Sequence, residues 1–387
     1  MNCNAIMQEK NMDNNKIIIL EQDKPLNTPG ISEISTEGTS ASISDIEDYS
    51  NPNHMIKYVN YNCSQFFETF DLGDYISKGS SGYVYKGMYK RCKKPVAIKF
   101  FLNKNIKEKK EKEDKKENEK NINQEISLSK KLHNKNVIEI YAYFKNNKIN
   151  YSVLELGKYG NIEHFLKDLL KRNAFSETAI VYFMKQVLDG LKYIHRNKIC
   201  HMDVKPDNIL IDLNLQVKLI DFSVSCSYAN FDPEDLVKFP FVGTSKFIAP
   251  EIIDRIHMKI KEIEKLDIYS FGVTLYYLFY GEFPYKLNEV KSKNYDNILK
   301  NIKEEKLEFP KWKKISKMGK DFLEKVLEKD YSKRLNIRQA LEHPWMQGAQ
   351  IILDEKEKIE NQECFLIKLI TDEIKPFNDY IVQMNFN

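Results

Sequence analysis

Most of the chemistry in this sequence sits in one octapeptide, His201-Met202-Asp203-Val204-Lys205-Pro206-Asp207-Asn208. A short loop there presents a carboxylate, an ammonium group and an amide. Asp203 can take a proton from a hydroxyl. Lys205 can neutralise a phosphoryl group in flight. Asn208, five residues on, can ligate a divalent cation. Eighteen residues after Asp203 comes Asp221-Phe222-Ser223, a second carboxylate for a metal that bridges phosphates. A base, a phosphate-binding lysine and two cation ligands make up the parts of phosphoryl transfer. Each alone would suit an ordinary polar loop; their order and spacing together argue for the reaction.

Two further pieces lie upstream. Ser77-Lys78-Gly79-Ser80-Ser81-Gly82-Tyr83-Val84 puts two glycines between strand-like segments, where the backbone can approach a phosphate closely. A simple hairpin turn would also explain them. Lys99 closes the apolar run Val96-Ala97-Ile98-Lys99. It reads as an edge charge unless an acid orients it toward polyphosphate. Glu125, opening the periodic stretch Ile126, Leu128, Leu132, is the natural partner.

These residues need elements to position them. Tyr75-Ile76, Tyr83-Val84-Tyr85 and residues 96–101 read as strands, and residues 209–211 and 217–220 as two more. Beyond Tyr159 apolar residues recur at steps of three and four, which predicts helices over 162–170, 180–195, 268–280, 318–327 and 337–341. A strand-rich part followed by a helix-rich part predicts an α+β protein of two lobes, with the ligand cleft between them. Residues 103–124 hold eight lysines and six acids, including the i,i+4 pairs Glu108/Lys112 and Glu111/Lys115. They predict a solvated helix or loop. Residues 31–50 carry five acids, no Lys or Arg and no sustained apolar period, so residues 1–60 are expected to be a disordered arm. A phosphorylatable regulatory arm is the more specialised reading of the same composition.

Composition excludes other classes. In 387 residues, 60 Lys and Arg face 56 Asp and Glu, and a net charge of +4 gives no field that argues for nucleic acid. Residues 268–280 are the longest suggestive apolar run and are too short for a membrane span. With no signal pattern at residues 1–20 and Asn at position 2, neither a secretory signal nor the usual myristoylation is expected. The six cysteines form no CxxC or CxxH pair, as expected of a reduced, cytoplasmic protein, with nuclear entry left open.

Residues 70–346 resemble a eukaryotic protein kinase. Residues 77–84 resemble the Gly-rich loop over ATP, and Lys99 and Glu125 the β3 lysine and its αC partner. Leu154 falls at the gatekeeper, with Glu155 and Gly157 at the hinge positions whose backbone pairs adenine. Val84, Ala97 and Leu210 match the apolar residues that sandwich the ring. Asp203 matches the catalytic base, Lys205 the phosphate-binding lysine, and Asn208 and Asp221 the metal ligands. Ala249-Pro250-Glu251 resembles the end of the activation segment, with Arg334 as the buried partner of Glu251, and Asp267 the αF residue that tethers the catalytic loop. The resemblance implies a small antiparallel-sheet N-lobe with one main helix (70–154), a hinge (155–160) and a larger helical C-lobe (161–346). Residues 103–124 become an insert before αC, and residues 347–387 an acidic, helical extension. It implies ATP with Mg²⁺, or Mn²⁺ in its place, as cofactors. Lys205 and Gly243-Thr244 resemble the Ser/Thr kinases, so protein Ser and Thr hydroxyls are the expected acceptors. Residues 242–251 and 272–276, Leu307-Glu308-Phe309-Pro310 and His343-Pro344-Trp345 are most similar to the calcium/calmodulin-dependent kinase kinases and related upstream kinases.

Three positions depart from the family pattern. Ser77 replaces the first glycine of the loop. Ser223 replaces the Gly after Asp221-Phe222 and would resist φ > 0 by roughly 1 kcal/mol. A narrower range of activation-segment conformations is expected. Met202 replaces the Arg that pairs with a phosphorylated activation loop, so independence from that switch is expected, with Ser225, Ser227 and Tyr228 as the candidate phosphosites. These departures support one rival reading, a pseudokinase scaffold that binds nucleotide or partners without catalysis. A small-molecule kinase is disfavoured by the intact segment ending at Glu251. The tail from Ala349 has eight acids and four lysines, unlike a basic calmodulin target, and is expected to dock back on the large lobe. The protein is expected to be a monomer and to bind neither nucleic acid nor membrane.

Overall fold

The structure is a computed structural model that describes residues 18–21, 64–79, 82–101, 122–145, 150–170, 176–285, 295–359, 365–366, 368–369 and 374–386. The chain divides into two compact units. Residues 1–131 and 139–156 form the first, and residues 132–138 and 157–387 the second.

The first unit is built on a six-stranded sheet. Its strands are β1 (Ile18–Glu21), β2 (Phe70–Lys78), β3 (Gly82–Tyr89), β4 (Lys94–Phe101), β5 (Ile140–Lys145) and β6 (Asn150–Leu154). Their order is β1-β5-β6-β4-β3-β2. The strands β2 to β6 pair antiparallel, while β1 pairs parallel with β5, Ile18 opposite Ala142. Apart from Ile18–Glu21, the arm expected over residues 1–60 lies outside the described residues. Ile18 and Ile19 are β-branched and, with Leu20, apolar enough to extend an existing edge, although the run is too short to stand alone. From Val96 to Phe101 every residue of β4 is buried, as in a strand covered on both faces. Helix α1 (Ser64–Thr69) drives Phe66 into this core against Phe70, Phe100 and Tyr151. Residues 122–129 are helical (α2) and bury Ile122 and Ile126 with Phe101, Ile140 and Tyr143. So residues 122–124 belong to this helix and not to the charged insert, whose remainder lies outside the described residues.

The second unit is mainly helical. Its long helices are α4 (Glu177–Arg196) and α6 (Glu264–Tyr280), preceded by α3 (Ile162–Leu170). Ser176 caps α4 by accepting from the N–H of Ala179. Almost every residue of α6 is buried, and Gly281 ends it in the left-handed region at φ 71°. Three small ladders hold the loops. They are β7 (Ile199–Cys200) with β10 (Cys226–Ser227), β8 (Ile209–Ile211) with β9 (Val217–Leu219), and β11 (Leu236–Lys238) with β12 (His257–Lys259). Residues 132–138 join this unit because Ile138 donates to the Leu219 carbonyl and Leu219 to that of Asn136, both at 2.9 Å. Helix α5 (Pro250–Ile253) follows the long segment from Asp221. Helices α7 (Tyr295–Glu304), α8 (Lys317–Val326), α9 (Ile337–Glu342), α10 (Pro344–Lys358) and α11 (Lys375–Phe386) complete it.

Candidate active site

In the first unit, β2 and β3 turn back on each other with Ser77 opposite Val84 and Lys78 opposite Tyr83. The N–H of Gly79 donates to the carbonyl of Gly82 at 2.8 Å. Ser80 and Ser81 lie outside the described residues. The two glycines have different reasons to be there. A β-carbon on Gly82 would stand 2.0 Å from the carbonyl oxygen of Phe100, whereas one on Gly79 would meet, among the described residues, nothing closer than the Gly82 carbonyl at 3.9 Å. Gly82 is thus demanded by its packing on β4. The same strand holds Ala97 and Lys99, with Lys99 opposite Val84 on one side and Ser152 on the other. The Nζ of Lys99 donates to Oε1 of Glu125 on α2 at 2.6 Å, and both side chains are buried. The orienting acid expected from the sequence is in place. Glu155 gives its N–H to the Glu139 carbonyl at 2.9 Å.

In the second unit, Asp267 organises the His201–Asn208 loop. Fully buried on α6, its carboxylate accepts from the backbone N–H of His201 at 2.7 Å and of Met202 at 2.8 Å, and from Nε2 of His195 at 2.8 Å. Burial works to raise its pKa, but the His195 bond and the His201 contacts outweigh it and hold the carboxyl below its ordinary range. His201 donates from Nε2 to the Ile220 carbonyl at 3.0 Å and accepts at Nδ1 from Asp203 N–H, so its ring is one fixed tautomer. It joins this loop to the end of β9.

Asp203 is buried and closely held. Its Oδ1 accepts from Thr244 N–H at 2.8 Å, and its Oδ2 from Lys205 Nζ at 2.7 Å and Asn208 Nδ2 at 3.0 Å. Lys205 also donates to Thr244 Oγ1 at 2.6 Å. Asn208 donates to the Asp203 carbonyl at 2.9 Å. Gly243, at φ 89°, lets the chain pass the Met202 carbonyl, where a β-carbon would stand at 2.5 Å. Leu210, half-buried on β8, packs on Gly157, where a β-carbon would come within 2.8 Å of it. Asp221 follows the β8–β9 hairpin at φ 66° and accepts from Ser223 N–H at 3.3 Å.

The departures have a structural account here. The positive φ angles fall on Met202 (67°) and Asp221 (66°), not on Ser223, so serine there carries no left-handed strain in this conformation. Met202 is buried, with Sδ 3.5 Å from Cys200 Sγ. Two of the candidate phosphosites are buried: Ser225 donates to the His201 carbonyl at 3.0 Å and Tyr228 to the His195 carbonyl at 2.9 Å. Ser227 is exposed. Farther along, Arg334 grips Glu251 with two bonds of 2.6 and 2.9 Å in full burial.

Thr244 and His195 enter this constellation without having been singled out as site residues. Thr244 had a signal, its position in Gly243-Thr244. His195 had none, since a histidine on an apolar helix face usually serves the core.

A family model for the protein kinase domain matches residues 70–346. The chain belongs to the protein kinase family. It is 31% identical to human Death-associated protein kinase 2 over 303 residues, 76% of this chain and 77% of that one. It is 32% identical to Calcium-dependent protein kinase 4 of Plasmodium berghei over 277 residues, 70% of this chain, and spans only 48% of that protein's length. With Serine/threonine-protein kinase Aurora-1 of Arabidopsis thaliana it shares 28% over 277 residues, 72% of this chain and 86% of that one. Protein kinases use ATP with Mg²⁺, which would supply positive charge against the charge that develops on the phosphates. The donor set suits that cation. The amide nitrogen of Asn208 is committed to Asp203, which leaves its carbonyl oxygen, and Asp221 adds a carboxylate; both are hard oxygen ligands. Among the described residues no helix is long and apolar enough to cross a membrane.

Proposed function

We propose that this kinase transfers the γ-phosphoryl group of ATP to Ser and Thr hydroxyls of proteins. The observation that carries this is the triangle of Asp203, Lys205 and Thr244. Each oxygen of Asp203 is held at a fixed position, so an incoming hydroxyl would meet an oriented base. Lys205 would offset charge on the moving phosphoryl group, and Thr244 ties both to the segment that ends at Glu251. Lys99, oriented by Glu125, would hold the α- and β-phosphates. Asn208 and Asp221 would hold Mg²⁺, with Mn²⁺ as a substitute. The turn of Ser77, Lys78, Gly79, Ser80, Ser81 and Gly82 would cover the phosphates. Val84, Ala97 and Leu210 would face the adenine ring, which would pair with the backbone of Glu155 and Gly157.

Autophosphorylation and action upstream of other kinases are part of the reading; the second rests on the likeness of residues 242–251 and 272–276 to the upstream kinases. A monomer without calmodulin control is proposed because Phe365 and Leu369, the apolar residues such a target helix would offer, are already buried. Phe365 lies 5.4 Å from the Tyr182 ring.

The test is transfer from labelled Mg-ATP to the protein itself and to a generic protein substrate, with phosphoamino-acid analysis. Phosphoserine or phosphothreonine that disappears in both Asp203→Asn and Lys99→Met is the expected result. ATP binding without any transfer would favour the scaffold reading.

A further inference from the structure

Two cysteines lie opposite each other in register on paired strands beside the Asp203 loop. Cys200 ends β7, Cys226 opens β10, and they are register partners in that antiparallel ladder. Directly opposed residues project to the same face, with α-carbons about 4.5–5.5 Å apart and β-carbons about 4.5–5.5 Å apart. A disulfide takes α-carbons about 4.4–6.8 Å apart and β-carbons about 3.5–4.5 Å apart. The register therefore meets the α-carbon requirement, and about 1 Å of closure between the β-carbons is left to make.

The ladder is clamped around this pair. Ser225 Oγ donates to the His201 carbonyl at 3.0 Å, Tyr228 N–H to the Lys198 carbonyl at 2.9 Å, and Tyr228 Oη to the His195 carbonyl at 2.9 Å. Cys226 cannot slide along β7 without breaking these bonds. Both thiols are free, Cys200 buried and Cys226 half-buried. Burial, then the charge of Asp267, pushes both thiols up.

We propose that Cys200 and Cys226 form an oxidation site, at which a low-molecular-weight disulfide such as oxidised glutathione links the catalytic loop to the activation segment. The Cys226 thiolate attacks one sulfur of the small disulfide; that S–S bond breaks, a mixed disulfide forms and one small thiol leaves. The Cys200 thiolate then attacks the Cys226 sulfur, and the second small thiol leaves. Two protein thiols are oxidised to one disulfide, the reagent is reduced to two thiols, and the two protons lost by the cysteines end on those thiols. The closure strains the bond and makes it easy to reduce, which suits a reversible link. Turning toward Cys226 takes the Cys200 sulfur away from Met202, the neighbour of Asp203. A displacement of that order at the base costs about tenfold or more in transfer rate.

The full chain is incubated with oxidised glutathione, digested without reductant and mapped by mass spectrometry. The expected product joins the Cys200 and Cys226 peptides, weighs two hydrogens less than the reduced pair and disappears with dithiothreitol. Hydrogen exchange of residues 225–228 falls, and transfer activity drops about tenfold and returns on reduction. The Cys226→Ser variant keeps its basal activity, forms no link and ignores the oxidant. A glutathione adduct that persists on Cys226, or a Cys200 link to another cysteine, overturns the proposal. A correct link that leaves activity unchanged overturns its effect on catalysis. The peptide map decides the site even if the chain proves to transfer no phosphate.

Discussion

At the scale of single residues, the buried charges carry the largest single-site effects. Arg334 and Glu251 are an ion pair with almost no exposure, made bidentate by bonds of 2.6 and 2.9 Å. Arg334→Met strands the Glu251 carboxylate, at a cost of about 3–5 kcal/mol. Urea unfolding should show that loss, and the double variant Arg334→Met/Glu251→Leu should lose less than the single one, because no lone charge is left buried. Asp267 makes a prediction in pH. Its folded pKa lies below the ordinary carboxylate value, so its contribution to stability is full above about pH 4 and fades as pH falls through the folded value. Asp267→Asn removes the contribution, since an amide cannot accept from His195, His201 and Met202 at once. Thermal melts from pH 7 to pH 3 should give a lower Tm for the variant at neutral pH, with the gap closing at the acid end.

At the scale of elements, the β2–β3 turn separates two glycines that look equivalent in the sequence. Gly82 passes so close to Phe100 that Gly82→Ala must push β3 off β4, the strand that holds Lys99. Its KM for ATP should rise by about tenfold or more, because a shift near 1 Å at a positioning strand is that costly. Gly79→Ala meets only an ordinary contact with the Gly82 carbonyl, 3.9 Å away among the described residues, and should stay within about twofold of the parent. Steady-state kinetics on the pair checks the contrast, and a similar loss in both would show that flexibility and not packing is what the turn requires. The activation segment is tied at its middle as well as its ends. The strand β11 pairs with β12, and Ile260 and Lys261 donate to the carbonyls of Asp235 and Pro233. Glu234 reaches both Lys259 and Lys261, and those pairs, being exposed, add little on their own. Backbone pairing thus ties the middle of the segment.

At the scale of the molecule, the C-terminal residues are part of the second unit. Phe365 and Leu369 are fully buried, Ser176 donates to the Leu369 carbonyl at 2.8 Å, and Tyr380 on α11 donates to the Pro344 carbonyl at 2.9 Å. Trp345, at the start of α10, donates to Glu177 of α4 at 2.7 Å. Among the described residues, a chain stopped after Lys358 loses four buried apolar side chains, Phe365, Leu369, Ile374 and Phe377, each worth about 1.5–3 kcal/mol when buried. Its Tm should fall by about 5 °C or more. Calorimetry of the shortened and full chains tests this; equal melting would mean that the tail only rests on the surface.

The reactive set around Asp203 was legible because it is local. Asp203, Lys205 and Asn208 lie within six consecutive residues, and their side-chain types at that spacing already name the chemistry. Helix periods showed α3, α4, α6, α8 and α9 for the same reason, since 3.6-residue repetition is written into neighbouring positions. Long-range pairing was not legible. Thr244 closes on Asp203 across 41 residues and His195 on Asp267 across 72, and no spacing rule connects them. The parallel seat of Ile18–Glu21 on β5 likewise depends on an edge made by residues far along the chain. Nor did the sequence show that Met202 and Asp221, and not Ser223, would take the left-handed backbone. So residue type and near spacing determined which reaction the chain is equipped for and which helices would form. Which groups touch, which glycine is indispensable and which hydroxyls are buried were decided only by packing, because those facts belong to pairs of segments that the sequence does not bring together.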